Sequence, residues 1–238
     1  MSAILPGTRA HPEGLAAVVD RSPRFGYDGL VMSASRHAEA EAHLAAADPT
    51  IAALVAAHGA CTLAPEPRHF FALVRAVLGQ QISVKAAASI RGRLAARLPG
   101  GEVTPEGILA MDEEQLRAAG LSRPKARCVR DLAGRVSSGA LDLAWLARQP
   151  DEVVVVELTL VKGIGRWTAE MFLIFSLGRP DVLATSDLGF RAAVKRAYRL
   201  GALPDEPQLR EIAAPWHPYA SIATWHLWRS LDNLPAAR

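Results

Sequence analysis

The stretch of sequence that decides the fold is Leu158–Glu170, which reads LTLVKGIGRWTAE. Its two glycines, Gly163 and Gly165, flank the apolar Ile164, and helix-forming residues stand on both sides. Such a segment predicts a tight turn between two helices, in which the backbone can approach a ligand closely. The second helix begins near Arg166, and the unpaired N–H groups at a helix N-terminus favour an anion. A DNA phosphate is the natural candidate, although the glycine pair alone is equally typical of a helix–helix turn without a ligand.

The composition around this segment favours an all-α fold. Half of the 238 residues are hydrophobic, which suffices for a sizeable core, and the chain is rich in Ala, Leu and Arg, which favour helices. No alternation of apolar and polar residues persists, so strands are not predicted. The formal net charge of +3 permits a nucleic-acid partner without demanding one.

Several classes of protein are excluded by what the chain lacks. Cys61 and Cys128 form neither a CxxC pair nor a four-cysteine cluster, which excludes iron–sulfur and zinc-ribbon sites. No stretch approaches the roughly 20 apolar residues of a membrane span. The N-terminus lacks the basic start and apolar run of a secretory signal. We therefore expect a cytoplasmic protein, nucleoid-associated if it is bacterial, with no membrane partner.

The chain divides into an N-terminal arm at residues 1–35 and one helical domain at residues 36–238. The predicted helices are Ala38–Ala46, Thr50–His58, Arg68–Leu78, Ser83–Leu98, Thr104–Ala110, Asp112–Ala119, Lys125–Ser137, Leu143–Gln149, Glu152–Leu160, Thr168–Leu177, Leu188–Tyr198, Gln208–Ala214 and Ser221–Asn233. Thr50 is the predicted N-cap of the second helix. Since no long flexible linker interrupts the domain, any subdomains are expected to pack together.

The wider pattern LxxVxGIGRxTA at Leu158–Ala169 closely resembles the helix-hairpin-helix of the HhH-GPD superfamily of base-excision DNA glycosylases. Lys162 stands where that family commonly has proline. The resemblance covers about Phe70 to Leu231 and places the hairpin at about residues 152–178. It implies two packed helical subdomains with the active site in the cleft between them, in a compact form without a β-rich N-terminal domain. It also implies a monomer that binds double-stranded DNA containing alkylated bases.

Asp187 stands 24 residues after Gly163, where the resemblance implies a catalytic aspartate. The residues alone leave a simpler role open, because Ser186 or Asp187 would make a good N-cap for the next helix. Breaking an N-glycosidic bond builds positive charge on the sugar, which a carboxylate can stabilise while it activates water. An alkylated purine that already carries positive charge needs no general acid, so we expect no second catalytic carboxylate.

Trp167 occupies the hairpin position where strand-cutting relatives carry a lysine nucleophile. Without that amine no Schiff base forms, so the resemblance implies a glycosylase without lyase activity. Trp167 and Trp228 also match the AlkA-type 3-methyladenine glycosylases, and their indole faces would attract a cationic base. Met171 and Phe71 complete the predicted base pocket. Plain core packing is the alternative for these aromatic side chains.

A second landmark is the GQQIS sequence of Gly79–Ser83, which resembles the family's link between two helices. The resemblance implies that Gln81 fills the gap left by a flipped base, and Ser83 is expected to cap the next helix. The predicted DNA contacts are Gln80, Gln81, Ser83, Lys162, Gly163, Gly165, Arg166 and Thr168. A third landmark is the GLSRPKA sequence of Gly120–Ala126, which resembles the family's loop before a packed helix. Lys125 and Arg127 there could contact the DNA backbone, but a solvent-exposed helix face is the simpler interpretation.

No cofactor is expected to be required. In relatives, three hairpin carbonyls often bind a monovalent cation, and the matching positions for Na or K are Thr159, Val161 and Ile164. Three other functions stay open at this point. They are a glycosylase for oxidised or mismatched bases, a non-catalytic helix-hairpin-helix DNA-binding protein, and an all-α protein with no DNA role.

Overall fold

The computed structural model describes residues 34–232, so nearly all of the predicted N-terminal arm at residues 1–35 lies outside the described residues. The described part contains thirteen α-helices and no β-strand, which confirms the all-α prediction. None of these helices is long and apolar enough to cross a membrane. The helices are α1 (Ala34–Ala47), α2 (Pro49–His58), α3 (His69–Gly79), α4 (Val84–Ala95), α5 (Pro105–Ala110), α6 (Glu113–Ala118), α7 (Arg123–Ser137), α8 (Leu143–Leu146), α9 (Asp151–Thr159), α10 (Arg166–Phe175), α11 (Leu188–Ala197), α12 (Glu206–Ala213) and α13 (Ala220–Asp232).

Polar side chains set where helices begin. Ser83 caps α4 as the sequence predicts. At α2 the prediction was wrong, because Asp48 rather than Thr50 is the N-cap. Oδ1 of Asp48 accepts the backbone N–H groups of Thr50 at 2.8 Å and Ile51 at 3.3 Å. Pro49 lacks an N–H group and suits the first helical position, which moves the start of the helix back.

Other predicted boundaries shift by a few residues, as two examples show. α4 ends at Ala95 rather than Leu98, because the chain leaves the helix to bury Leu98 before a 3₁₀ turn at Pro99–Gly101. α10 begins at Arg166, as the hairpin pattern predicts, rather than at Thr168, the start of the predicted helix Thr168–Leu177, because Gly165 serves as its N-cap with an extended backbone.

The helices pack in two groups, as the family resemblance implies. In the first group α10 packs against α3 and α9, while α7 packs against α3, α5 and α6. In the second group α13 packs against α1, α2 and α11. Fully buried side chains such as Leu73, Leu132 and Phe172 fill the first group, and Phe190 and Trp216 fill the second. The α3–α4 link, the start of α10, the start of α11 and one face of α13 meet between the groups.

Asp48 ties the second group together from inside. Its side chain is buried, and its Oδ2 accepts the hydroxyl of Tyr198 at 2.5 Å and the indole N–H of Trp216 at 2.9 Å. Burial alone would raise the pKa of Asp48, but the hydrogen bonds it accepts outweigh burial and lower that pKa. One carboxylate therefore joins α2, the end of α11 and the turn before α13.

Candidate active site

A cavity of about 1020 Å³ lies between the two groups of helices. Four segments line it: the α3–α4 link, α10, the start of α11 and α13. Nine predicted site residues are among those that line it, namely Gln80, Gln81, Ser83, Gly165, Trp167, Thr168, Met171, Asp187 and Trp228. The fold therefore brings together in one cleft residues that are far apart in the sequence.

The carboxylate of Asp187 is fixed by three hydrogen-bond donors. Its Oδ1 accepts the backbone N–H of Phe190 at 2.6 Å, which makes Asp187 the N-cap of α11. Oδ1 also accepts the indole N–H of Trp228 at 3.0 Å, and Oδ2 accepts the indole N–H of Trp167 at 2.7 Å. The cap is therefore compatible with the predicted catalytic role of Asp187, since it fixes the same carboxylate that lines the cavity.

The two tryptophans meet this carboxylate through their edges. Trp228 also stacks on Phe175, with ring centroids 5.6 Å apart and an interplanar angle of 19°. Phe175 and Trp225 both line the cavity, although the sequence analysis did not assign them to it. Phe175 follows Met171 by four residues, as Met171 follows Trp167, so all three share one face of α10. That spacing is the sequence signal that identifies Phe175.

The prediction of Phe71 as a pocket residue is not supported, because Phe71 does not line the cavity. It is half-buried on α3, and the guanidinium carbon of Arg68 lies 4.6 Å above its ring. Its buried neighbours on the helix, Phe70 and Leu73, belong to the core. Phe175 supplies a phenyl ring to the cavity instead.

The hairpin turn joins α9 to α10. Gly163 has a φ of +93°, and a Cβ there would lie 3.0 Å from the Cβ of Cys128, so this position requires glycine on two counts. The apolar Ile164 between the two glycines is buried and holds the turn in the core. Apart from its chain neighbours, no heavy atom lies within 4 Å of the place where a Cβ of Gly165 would be, and Gly165 lines the cavity. The N-terminus of α10, an end of a helix that favours an anion, therefore borders open space.

Arg166, a predicted phosphate contact, is held in ion pairs within the protein. Its Nη2 donates to Glu152 at 2.7 Å, and its Nε donates to Glu170 at 3.1 Å. The side chain remains 49% exposed, so a phosphate can reach it but must compete with both carboxylates. Lys162 is exposed, and its backbone N–H donates to Asp131 at 3.2 Å. Within residues 34–232, Lys162 forms no ion pair, so unlike Arg166 it has none to break when it binds a phosphate.

Gln80 and Thr168, both predicted DNA contacts, bond to each other instead. The amide of Gln80 donates to Oγ1 of Thr168 at 2.9 Å and to the carbonyl of Gly163 at 3.1 Å, and Thr168 is buried. Lys125 is not simply solvated, because its ammonium donates to the carbonyls of Leu78 and Gln80, both at 2.7 Å. Its burial lowers the pKa of Lys125. The bonds of Gln80 join the α3–α4 link to the hairpin, and those of Lys125 join the link to α7.

Gln81 stands on this link with its side chain exposed at the edge of the cavity. Its φ is +56°, in the left-handed region that residues with a Cβ rarely adopt. Such a conformation costs about 1–2 kcal/mol for a residue other than glycine. The fold therefore accepts local strain to present this amide.

Sequence reasoning missed a second carboxylate near Asp187. Glu170 is buried on α10, and its Oε2 accepts the hydroxyl of Ser186 at 3.2 Å. Burial raises the pKa of Glu170, and the nearby Arg166 lowers it by less. The four-residue spacing between Arg166 and Glu170 is the sequence signal for their ion pair, but nothing local predicts the contact with Ser186.

The cation hypothesis concerns carbonyl groups rather than side chains. Within residues 34–232, no three His, Cys, Asp or Glu side chains are grouped to hold a metal ion. Of the predicted carbonyls at Thr159, Val161 and Ile164, that of Val161 accepts the N–H of Ile164 at 3.0 Å. A carbonyl oxygen has a second lone pair that could bind a cation. A monovalent cation at the hairpin stays a prediction.

Comparison with curated proteins agrees with this geometry. Residues 74–218 match the family model described as HhH-GPD superfamily base excision DNA repair protein. The alkylbase DNA glycosidase-like protein mag2 of Schizosaccharomyces pombe is 30% identical over 200 residues, which cover 82% of this chain and 94% of the relative. DNA-3-methyladenine glycosylase 1 of the same yeast is 38% identical over 160 residues, which cover 66% of this chain and 70% of the relative.

Solved structures give the same family. The 3-methyladenine DNA glycosylase Mag1 of S. pombe, solved in complex with abasic DNA, superposes with a TM-score of 0.76 at 33% identity, covering 84% of this chain and 100% of that one. A DNA-3-methyladenine glycosidase from Bacillus halodurans superposes with a TM-score of 0.69 at 34% identity, covering 84% and 92%. The family match spans the α3–α4 link, the hairpin and Asp187. This chain belongs to the HhH-GPD superfamily of base excision DNA repair proteins.

Proposed function

We propose that this protein is a monofunctional DNA glycosylase that excises alkylated bases of the 3-methyladenine class by hydrolysing the N-glycosidic bond. The observation that carries the proposal is the carboxylate of Asp187, which two indole N–H groups and a helix cap fix at the cavity. A carboxylate held in this way needs no reorganisation when charge develops in the transition state. Relatives named DNA-3-methyladenine glycosylase support the same substrate class.

The proposed reaction needs one carboxylate and one water molecule. The bond between the base and the sugar breaks, and the base leaves with the electron pair, so positive charge develops on the sugar. Asp187 stabilises that charge and orients the water whose oxygen bonds to the sugar carbon. The water's proton passes to Asp187 or to solvent, which completes the hydrolysis.

The proposal that the enzyme has no lyase activity rests on the lack of a lysine at the cavity among the described residues. Trp167 stands where the family resemblance puts the lysine nucleophile of strand-cutting relatives. Among the described residues, no lysine lines the cavity. Without an amine at the sugar, no Schiff base can form, so the released base leaves an intact strand.

Aromatic side chains support the choice of alkylated bases. Trp167, Trp225, Trp228 and Phe175 all line the cavity. A cation over an indole face gains roughly 0.5–2 kcal/mol, depending on its exposure to water. A base made cationic by alkylation is therefore held more tightly than its neutral parent after it flips out of the duplex.

The surface around the cavity supports binding to duplex DNA. The open N-terminus of α10 at Gly165 and the exposed Lys162 suit a backbone phosphate. The exposed side chains of Gln81 and Ser83, on the link that Gln80 joins to the hairpin, also border the cavity. Gln81 is the candidate to fill the space that a flipped base leaves in the duplex.

Base release from methylated DNA tests the proposal. We expect the protein to release 3-methyladenine or 7-methylguanine from duplex DNA treated with a methylating agent, and to leave abasic sites that break only on alkaline treatment. A panel of duplexes with single lesions, including 1-methyladenine, 3-methylcytosine and ethenoadenine, then ranks the substrates. Borohydride trapping of a protein–DNA adduct would contradict the monofunctional mechanism. Release of oxidised or mismatched bases alone would contradict the substrate class.

A further inference from the structure

Glu170 is a buried carboxylate to which the proposed reaction gives no role. Its side chain is 4% exposed, and its two oxygens serve different partners. Oε1 accepts Nε of Arg166 at 3.1 Å, while Oε2 accepts the hydroxyl of Ser186 at 3.2 Å. Removing a carboxylate from water is costly, and replacing a whole buried ion pair by apolar side chains of similar volume is often neutral or stabilising. Stability is therefore a poor reason for a glutamate at this position.

Ser186 directly precedes Asp187 in the chain. Its hydroxyl does not cap α11, because Asp187 caps that helix, and so it is available to Glu170. On its other side Asp187 is fixed by the N–H of Phe190. The segment that carries the catalytic carboxylate is therefore anchored twice, once by α11 and once by Glu170 of α10.

Arg166 connects the same buried carboxylate to the hairpin. It is the first residue of α10, next to the open space at Gly165 where a phosphate is expected. Its guanidinium also pairs with Glu152 of α9 at 2.7 Å. The contacts run from the DNA-binding turn through Arg166 and Glu170 to Ser186, one residue away from Asp187.

We propose that Glu170 is a positioning residue for base release, which holds Ser186 and thereby sets the place of the Asp187 carboxylate relative to the sugar. The proposal rests on the proposed function, because it requires Asp187 to carry the chemistry. A misplacement of about 1 Å can slow an enzymatic step by up to about 100-fold. Loss of the Ser186 contact is therefore expected to slow the chemical step while DNA binding is retained.

The test compares single-turnover release, with protein in saturating excess, with binding to a duplex that carries a stable abasic-site analogue. The substrate is the single-lesion duplex that the wild-type protein processes fastest. We expect Ser186→Ala and Glu170→Ala each to lower the release rate by about tenfold without weakening DNA binding. Binding by Glu170→Ala can tighten, because the change frees Arg166 for a phosphate. Glu170→Gln should recover part of the lost rate, because its amide oxygen can accept the same hydroxyl while its NH2 group then faces the donor Nε of Arg166. Ser138→Ala, at an exposed serine after α7, is the matched control.

The double variant Glu170→Ala/Ser186→Ala should release bases no more slowly than the slower single variant, because both changes remove one contact. Losses that multiply, or a wild-type rate for Ser186→Ala, would overturn the proposal. Ser186 is exposed, so its variant remains informative if Glu170→Ala fails to fold. Asp187→Asn in the same series separates the two claims. A wild-type rate for that variant refutes the proposed function, whereas an inactive Asp187→Asn beside a fully active Ser186→Ala refutes only the positioning role.

Discussion

At the scale of single residues, the indole N–H groups determine what the carboxylate of Asp187 can do. An ionised carboxylate offers about four acceptor sites, and the N–H groups of Trp167, Trp228 and Phe190 occupy three of them. The remaining capacity is small, which suits the orientation of one water molecule. The tryptophans therefore position the carboxylate through their edges, in addition to any contact their faces make with a base.

Replacing Trp167 with phenylalanine separates these two contributions. Trp167→Phe keeps an aromatic ring in the cavity but removes the donor to Oδ2 of Asp187. Hydrogen bonds to charged groups contribute roughly 1.5–3 kcal/mol, so we expect release to slow by about tenfold or more. Single-turnover rates measure this effect, and Trp145→Phe, at a tryptophan of α8 outside the cavity, is the control. An unchanged rate would show that the N–H group plays no part.

Features of the site that depend on spacing along the chain could be predicted from the sequence, whereas contacts between distant residues could not. The place of Asp187 at the cavity could be predicted from the family resemblance, because its distance from the hairpin along the chain is a sequence property. The indole contacts could not, because they join residues 20 and 41 positions apart and depend on the packing of α13. Phe71 lies outside the cavity, so its assignment to the base pocket was wrong. Phe175 continues the four-residue spacing of Trp167 and Met171 on α10, and that spacing predicts its place in the cavity.

At the scale of elements, the α3–α4 link and the hairpin behave as one unit. Gln80 donates to both Gly163 and Thr168 of the hairpin. Lys125 of α7 donates to the carbonyls of Leu78 and Gln80 and so holds the link in place. Helix starts such as Ser83 were predictable because capping is local. The roles of Gln80 and Lys125 were not, because their partners lie more than 40 residues away along the chain.

Gln81 allows stability and function to be separated within this unit. Gln81→Gly relieves a positive φ, so we expect the free energy of unfolding to stay level or rise by up to about 1 kcal/mol. Base release should nevertheless fall, because no side chain remains to fill the gap in the duplex. Arg199→Gly is the matched control, since Arg199 also has a positive φ of +54° but lies outside the cavity. Equal release by both variants would argue against a role for Gln81 in flipping.

At the scale of the whole molecule, the cleft exists because two separately packed groups of helices meet there. Asp48 stabilises the second group by joining α2 to Tyr198 and Trp216. Because its pKa is lowered in the folded state, its contribution is present above the unfolded pKa of about 3.9 and is lost as pH falls through the folded value. The two-group arrangement was predictable from the family resemblance. The hydrogen bonds of the buried Asp48 to Tyr198 and Trp216 were not, since an aspartate before a proline resembles an ordinary turn residue in sequence.

Asp48→Asn should destabilise the second group of helices. Asparagine still caps α2, but its amide cannot accept the N–H of Trp216 as the second carboxylate oxygen does. We expect a loss of about 1–3 kcal/mol in the free energy of unfolding near neutral pH, measured by urea denaturation. The loss should shrink below about pH 4, where the wild-type carboxylate is itself protonated in the unfolded chain. Asp205→Asn, at the exposed cap of α12, should change little, and an equal loss in both variants would contradict a special role for Asp48.

The proposed chemistry depends above all on the negative charge of Asp187. Asp187→Asn keeps a side chain that caps helices about as well as aspartate, yet it removes the charge and sets an amide against an indole N–H. The decisive measurement is single-turnover release of a methylated base by this variant, together with its affinity for abasic-site duplex, with Asp112→Asn as the control. We expect release to fall by roughly 100-fold or more while DNA binding persists. Release by Asp187→Asn at the wild-type rate would contradict the assignment of Asp187 as the catalytic carboxylate.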